Sequence, residues 1–461
     1  MSRQPFVLSP AWLGAAVVVG LVAGMLPWLV ERQPLAALFL FGAVAGGLFL
    51  LGFWPLSGVA ILVITALFTR YRFDVGPVSI RPEQVAAVVV GLVGLSQWLV
   101  WRGRLRVPAS VGLALAWWAC NLIAAVFFAP AVRPVLQHAV RVGAGVVTFF
   151  LMVNLIPDRR RWWQALWLFL GAGIAEAAFG ILARGLYPFG INLGVQVSWN
   201  FTEPIPYGTF QEGNLFGSHT ATWALTLLAL GPRLSRSRRP LWLAGLLVLV
   251  VALYLSLSRA AWLTFLVGVM LIWAFGRPAA WHRLNRLLMA VLAAPFLMVL
   301  VLGMAPLLPT SWPLVNRLQS FLRLSEDPTF SARLQDWALA WNDWLQQPLL
   351  GWGPGSFYEL HGLLRANPAW ISNLSLRLLQ ETGVIGLVVF AAFLLTLLVP
   401  ALKVAEQRAA PTEAAALRGL VIAYAVLIGL AYQSTDGIWL TASWVHAGLI
   451  AAGTRALRAE R

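Results

Sequence analysis

The sequence has little charge and almost no cysteine. Only 11% of its 461 residues are charged, whereas an ordinary soluble domain has about 25%. The single cysteine, Cys120, excludes an intrachain disulfide and a cysteine-cluster metal site. Acidic residues are particularly few, 17 against 33 lysines and arginines. These shortages exclude an ordinary soluble enzyme and a disulfide-stabilised domain.

What the sequence has instead is apolar residues, which make up 60% of the chain and give a mean hydropathy of +0.78. A transmembrane helix needs about 20 mostly apolar residues. We therefore predict an all-α fold, a polytopic membrane helical bundle that forms one domain over residues 1–461, with about 12 to 14 transmembrane helices. Spans are expected near residues 11–30, 35–53, 55–68, 84–101, 109–128, 134–156, 162–187, 213–230, 241–256, 260–275, 287–308, 383–400, 414–432 and 438–453.

Two of these runs differ from an ordinary span. The first follows Arg3 as a signal peptide would, but no polar mature domain follows it, so we interpret it as a retained helix. The run at residues 55–68 is short for a span and is either re-entrant or merged with its neighbour.

Most basic residues fall on one side of the membrane when successive spans alternate. They lie in turns that contain Arg102, Arg104, Arg106, Arg159, Arg160, Arg161, Arg233, Arg236, Arg238, Arg239, Arg277, Arg283, Arg286, Lys403 and Arg408, and in the C-terminal tail. The positive-inside rule makes that side cytoplasmic, with both termini. The net charge of +16 therefore reflects topology, and nucleic acid is not an expected partner.

Two long polar segments, residues 188–212 and 309–379, fall on the opposite, extracytoplasmic side. A loop as long as the second is usually functional. The turn with Arg70, Arg72 and Arg81 also falls on that side, against the rule, which argues against the short third span.

Ionisable residues in or beside the spans are costly, so each is a functional candidate. They are His138, Arg141, Glu176, Glu212, Arg259, Glu381 and Asp436. The alternative for each is a structural hydrogen-bond anchor. For Arg259, which stands between two spans in Ser256-Leu-Ser-Arg259, the alternatives are an anionic substrate and the lipid headgroups.

The long loop contains a predicted helix, because Trp337, Trp341 and Trp344 recur at helical spacing. It lies either on the outer membrane surface or packed on protein. Ser331 is its expected N-cap, and Arg333 in the first turn opposes the helix dipole. A glycine-rich turn with Gly351, Gly353 and Gly355 follows, where backbone can approach a ligand.

Three motifs in order carry a family resemblance. They are Ser-Arg259-x-x-x-Leu, then Arg333 with tryptophans and Pro-Leu-Leu-Gly351-x-Gly-x-Gly-x-Phe, then Asn373-Leu-x-Leu-x-x-Leu-x-Glu381-x-Gly-x-x-Gly. The composite, over roughly residues 208–387, resembles the O-antigen ligase and O-antigen polymerase superfamily of bacterial multi-span glycosyltransferases. The resemblance implies a donor oligosaccharide linked to polyprenyl diphosphate, a lipid or glycan acceptor, and transfer at the outer face of the bacterial cytoplasmic membrane among its lipids.

The resemblance also implies roles for residues. Arg259 and Arg333 correspond to two arginines that hold the diphosphate. The segment from Gly208 to Asn214 resembles a family segment that ends in Pro-Asn, although Gly213 replaces the proline. Asp436 is similar in position to a late family aspartate. No metal or cofactor is expected, and the implied enzyme is a metal-independent glycosyltransferase.

One departure concerns the chemistry. Where the family pattern has His-Asn-x-x-Leu, this chain has Ser372-Asn373-Leu, and a serine cannot take up a proton near neutral pH as imidazole can. His361 is the nearest substitute in sequence, with a water-facing loop histidine as the alternative. Glu212 and Glu381 are the other candidate bases. Loss of transferase activity is a further alternative.

The acceptor determines which kind of transferase the protein is. A lipid-A core makes the protein a ligase, a lipid-linked unit makes it a polymerase, and a protein acceptor makes it an oligosaccharyltransferase. The rival class is a transporter or flippase of lipid-linked or amphipathic solutes, for which His138, Arg141 and Glu176 are the candidate charges inside the membrane.

Overall fold

A computed structural model describes residues 55–75, 78–101, 105–197, 203–275, 328–362, 370–407 and 410–458. The predicted spans at residues 11–30, 35–53 and 287–308 lie outside these residues. The helices of the described residues, in chain order, are α1 (Leu56–Thr65), α2 (Pro82–Trp101), α3 (Ala109–Phe127), α4 (Val132–Leu155), α5 (Arg159–Leu186), α6 (Gly213–Leu230), α7 (Arg239–Leu255), α8 (Arg259–Phe275), α9 (Pro328–Gln346), α10 (Ser356–His361), α11 (Leu374–Gln407), α12 (Pro411–Gly429) and α13 (Thr441–Ala456).

The predicted all-α polytopic fold is confirmed. Within the described residues six helical segments are long and apolar enough to cross a membrane. They are Ala109–Phe127, Val132–Leu155, Arg159–Phe189, Arg236–Leu255, Leu374–Gln407 and Pro411–Gln433. Helix α1 has ten residues, about 15 Å of helix, and so reaches only about half of a bilayer core.

Two short antiparallel hairpins connect helices at one end of the bundle. Strands β1 (Phe73–Val75) and β2 (Val78–Ile80) pair between α1 and α2, with Phe73 opposite Ile80. Strands β3 (Val195–Val197) and β4 (Pro204–Pro206) pair within the predicted external segment between α5 and α6.

The core is built around α6 and α13, whose residues are almost all buried. Helix α6 packs on α7, α8 and α12, while α13 packs mainly on α4 and also on α11. At the centre, the Trp444 ring lies 5.7 Å from Trp117 and 5.6 Å from Phe393, measured between centroids. A Cβ at Gly145 would lie 2.3 Å from Trp444 Cδ1, so this contact between α4 and α13 requires glycine.

Basic turns gather at one end of the bundle. Arg455, at the end of α13, donates to the carbonyl of Val153 near the end of α4 at 2.6 Å. Arg159, at the start of α5, pairs with Glu413 at the start of α12. The other ends of α4 and α12 lead to the opposite end of the bundle, where both hairpins and the loop before α11 lie.

Helix α9 confirms the predicted loop helix, but its start differs from the prediction. It already includes Pro328, so Ser331 is not its N-cap and Arg333 lies beyond the first turn. One face packs on protein, with Ala340 buried in a cluster with Phe357 and Ile371. Trp341 on the other side is 47% exposed. The helix therefore packs on protein by one face and keeps apolar side chains outside.

Candidate functional site

Several predicted residues line one cavity of about 260 Å³ at the hairpin end of the bundle, which we name the Arg333 cavity. Its lining comes from the start of α6, from α9, from the loop before α11 and from the turn between α12 and α13. These residues are Gln211, Glu212, Asn214, Leu215, Arg333, Trp370, Ser372, Thr435, Asp436 and Trp439. Segments that are far apart in sequence thus converge here.

The segment before α6 is fixed by Glu176 of α5. Its two carboxylate oxygens accept hydrogen bonds from the Thr209 amide at 2.7 Å and the Thr209 hydroxyl at 2.8 Å. Gly208 has a φ of +58°, and a Cβ there would lie 2.1 Å from Glu176 Oε1. Glu176 therefore anchors the turn that leads to Glu212. This contact fits the alternative interpretation of Glu176 as a structural hydrogen-bond anchor.

Glu212 is the N-cap residue of α6, directly before its first residue. Its Oε1 accepts a hydrogen bond of 2.9 Å from the Thr435 hydroxyl. Burial raises the pKa of the Glu212 carboxyl, against smaller opposite effects of the Thr435 hydrogen bond and of the positive charge of Arg333. A carboxyl with a raised pKa beside an arginine suits proton transfer near neutral pH.

Ser372 and Asn373 have different surroundings. Asn373 caps α11, since its Oδ1 accepts from the Leu376 amide at 3.0 Å, and its Nδ2 donates to the Gln433 carbonyl at 3.3 Å. Ser372 lines the Arg333 cavity, and its hydroxyl is buried with no hydrogen-bond partner among the described residues. The step that departs from the family pattern is thus part of the cavity wall.

A second cavity, of about 280 Å³, adjoins the first and shares Gln211, Trp370 and Trp439 with it. We name it the Arg141 cavity. Its charged and titratable lining consists of Arg72, Arg81, His138, Arg141, Tyr358, Arg377 and Glu381. His138 and Arg141, predicted as candidates inside a span, therefore line a cavity from the first half of α4.

Arg377 connects the two cavities. Its Nε lies 2.8 Å from Glu381 Oε1, and its Nη1 contacts Asp436, which lines the Arg333 cavity. Glu381 Oε1 also accepts from the Gly355 amide at 2.6 Å. The predicted residues Glu381 and Asp436 therefore hold Arg377, and Glu381 also fixes the glycine-rich turn.

The glycine-rich turn docks on a kink in α11. Gly383 interrupts that helix with φ 64° and ψ −169°, and the amides of Trp352 and Gly353 donate to the carbonyls of Gln380 and Glu381 at 2.9 and 2.8 Å. A Cβ at Gly351 would lie 2.5 Å from the Glu381 carbonyl carbon. The glycine-rich turn was expected to bring its backbone close to a ligand. In the structure its backbone lies against that of α11.

His361 is not among the described residues that line either cavity. Its Nε2 is 2.9 Å from Asp343 Oδ2 of α9, and its ring lies 4.8 Å from that of Phe357. Of the three candidate bases, Glu212 lines the Arg333 cavity, Glu381 lines the Arg141 cavity, and His361 lines neither.

Arg259 opens α8 and does not belong to the lining of either cavity. Its segment nevertheless reaches the same end, since a Cβ at Gly217 would lie 2.5 Å from Ser256 Oγ and one at Gly213 would lie 3.5 Å from the Ser256 carbonyl. The turn before Arg259 thus packs against the first turns of α6.

Sequence reasoning missed several cavity residues. They are Arg72, Arg81, Gln211, Trp370, Arg377, Thr435 and Trp439. The signal for two of them was present, because arginines on the side opposite to the other basic turns contradict the positive-inside rule and need a local reason. Arg377 had a different signal, because it is an arginine within an otherwise apolar run.

A family model described as O-antigen ligase matches residues 244–391. The match includes Arg259, Arg333, the glycine-rich turn and Glu381, and it confirms the resemblance to the O-antigen ligase and polymerase superfamily in that part of the chain. It supports an O-antigen ligase-like function in surface polysaccharide assembly and an enzyme of the glycosyltransferase type. The segment from Gly208 to Asn214 lies outside the match. No curated protein matches the chain.

Proposed function

We propose that the protein transfers a glycan from a polyprenyl-diphosphate carrier to an acceptor hydroxyl at the outer face of the bacterial cytoplasmic membrane. The observation that carries the proposal is the Arg333 cavity, where an arginine, a buried carboxyl and Asn214 converge at one end of a bundle of apolar helices. The family match over residues 244–391 supports the same class of reaction.

Arg333 is proposed to bind the diphosphate. A guanidinium binds phosphate oxygens bidentately and stays charged, so it stabilises the negative charge that develops on the leaving group. Arg259 is proposed as the second diphosphate ligand, on the ground that its helix begins beside the start of α6. Asn214 and Asp436 are proposed to contact the sugar from the cavity wall.

The reaction proceeds by substitution at the anomeric carbon of the donor. The acceptor oxygen forms the new bond to that carbon, the bond to the diphosphate oxygen breaks, and its electron pair leaves with the polyprenyl diphosphate. The acceptor proton passes to the Glu212 carboxylate, which replaces the base that Ser372 cannot provide. Ser372 and Asn373 then shape the wall and position the loop before α11.

The transporter alternative receives less support. His138 and Arg141 line a cavity at the hairpin end of the bundle together with Arg72 and Arg81, and both oxygens of Glu176 are occupied by Thr209. A lipid-A core, a lipid-linked glycan and a protein are all acceptors that this site chemistry accommodates. We propose a ligase or polymerase of surface polysaccharide, with a protein O-oligosaccharyltransferase as the alternative.

The test is glycan transfer by the reconstituted protein, with a labelled polyprenyl-diphosphate oligosaccharide and an acceptor. We expect Arg333→Ala and Arg259→Ala each to lower the transfer rate about 10²- to 10³-fold, the range for loss of one group that stabilises transition-state charge. Arg236→Ala, an exposed arginine at the opposite end of the bundle, is the matched control. Undiminished transfer by the double variant Arg259→Ala, Arg333→Ala contradicts the assignment of the arginines.

A further inference from the structure

The Arg141 cavity concentrates four guanidinium groups, those of Arg72, Arg81, Arg141 and Arg377. The hairpin of β1 and β2 brings the first two together, because Arg72 and Arg81 flank the paired residues Phe73 and Ile80. Like charges this close repel one another, and the repulsion grows as water is excluded. Anions are therefore needed to balance the positive charge of these four arginines.

The carboxylates of the protein neutralise only part of this charge. Glu381 and Asp436 are both committed to Arg377. Glu83 lies 4.0 Å from Arg81 Nη1, at the limit of an ion pair, and Arg81 also donates to the Thr69 carbonyl at 3.0 Å. Arg81 is 4% exposed, and its Nε has no hydrogen-bond partner among the described residues.

Arg141 and Arg72 have no ion pair or hydrogen bond within the described part of the chain. The Arg141 guanidinium lies 5.9 Å from the centroid of the Trp439 ring, and the Arg81 guanidinium lies 5.1 Å from the same ring. Trp439 thus orients two arginines toward one space, beside the Arg333 cavity that it also lines.

We propose that the Arg141 cavity is a separate oxyanion site, which binds a phosphate or carboxylate carried by the acceptor glycan. The proposal rests on the glycan transfer proposed above, in which the donor diphosphate occupies the Arg333 cavity. An acceptor must lie next to the donor, and the two cavities share Gln211, Trp370 and Trp439. The volume of about 280 Å³ is just below the usual range for small-molecule sites, so it matches one charged sugar unit of the acceptor.

The experiment measures binding by calorimetry on the full-length protein in a neutral detergent. The probes are D-glucose 6-phosphate and D-glucuronate as sugar-borne anions, D-glucose as the neutral control, inorganic pyrophosphate for the donor diphosphate, and glycerol 1-phosphate for a lipid headgroup. The variants are Arg141→Gln, the exposed Arg72→Gln, Arg333→Gln, and Arg236→Gln as the control at the other end.

We expect the charged sugars to bind and D-glucose not to bind. Arg141→Gln should weaken the binding of the charged sugars at least about tenfold, as for loss of a hydrogen bond to a charged group. Arg72→Gln should weaken it in the same direction, so the result does not depend on one variant that could unfold. Arg333→Gln should leave it within about twofold and should weaken pyrophosphate binding instead.

Three results overturn the proposal. They are the absence of saturable binding of either charged sugar, equal losses in Arg141→Gln and Arg333→Gln, and tighter binding of glycerol 1-phosphate than of the sugars, which would assign the cavity to a lipid headgroup. Because binding is measured without turnover, failure of glycan transfer and failure of this site give different results.

Discussion

Glu212 is the residue on which the proposed proton transfer depends. It lines the Arg333 cavity, it accepts a hydrogen bond from Thr435, and burial raises the pKa of its carboxyl. A base must be ionised to accept a proton. The ionised fraction of Glu212 increases as pH rises through its raised pKa, so the transfer rate should increase over the same range and fall below it.

We therefore expect an acid limb in the pH profile, that is, a fall in the transfer rate as the pH is lowered. Its midpoint should lie above about 4.3, the ordinary pKa of a glutamate. Glu212→Gln should lower the rate about 10²- to 10⁴-fold, the usual contribution of a general base, and should abolish that limb. The measurement is the pH dependence of single-turnover transfer by the reconstituted protein.

His361→Ala serves as the comparison, because His361 pairs with Asp343 and lines neither cavity. It should keep the acid limb, and so should Glu406→Gln, an exposed glutamate near the end of α11. Loss of the limb in His361→Ala but not in Glu212→Gln would return the role of base to the histidine.

The sequence predicted the members of the Arg333 cavity better than those of the Arg141 cavity. Arg333, Glu212 and Ser372 lie in motifs that are recognisable by their neighbours in the chain. Arg72 lies in no motif, and Arg377 stands at a variable position of the third motif. Arg72 reaches the cavity through hairpin pairing, and Arg377 forms an ion pair with Asp436, which is distant in sequence. A residue's spacing carries no information on such contacts.

At the scale of elements, the kink in α11 shows why the glycines recur in the third motif. Gly383 has a φ of 64°, and a Cβ there would lie 2.2 Å from the carbonyl group of Leu349. The kink lets the segment that carries Arg377 and Glu381 dock against the glycine-rich turn. The prediction treated residues 383–400 as a separate span, because a glycine inside an apolar run gives no sign of whether the helix continues.

Gly383→Ala should destabilise the protein. The backbone conformation alone, with positive φ and ψ near 180°, costs a residue with a side chain about 1 to 3 kcal/mol, and the contact with Leu349 adds to that cost. We expect a lower midpoint of thermal unfolding in detergent, together with reduced transfer, because Arg377 and Glu381 would shift.

Gly171→Ala is the matched control, since Gly171 lies within α5 and a Cβ there meets no atom within 4 Å. That substitution should be neutral or stabilise the helix by about 0.5 to 1 kcal/mol. Equal unfolding midpoints for the two variants would mean that the kink and its contact with Leu349 contribute nothing to stability.

At the scale of the whole molecule, the bundle has two chemically different ends. Arg159, Arg455 and the arginines after α6 lie at one end, and both cavities lie at the other. Arg72 and Arg81 are exceptions at the cavity end. Their predicted position outside argued against the short span before them, yet both arginines line the Arg141 cavity, which is a local reason for arginines to stand there against the usual topology rule.

This polarity predicts which end faces the cytoplasm. Because basic turns stay inside, the cavity end should face outward. The measurement is labelling of single cysteines with a membrane-impermeant maleimide in intact cells, in a Cys120→Ala background that removes the only native thiol. Asn342→Cys on the exposed side of α9 should label in intact cells, and Ser237→Cys among the arginines before α7 should label only after lysis. The reverse pattern would put both cavities in the cytoplasm, where an extracytoplasmic glycan transfer could not occur, and would contradict the orientation and the proposed function together.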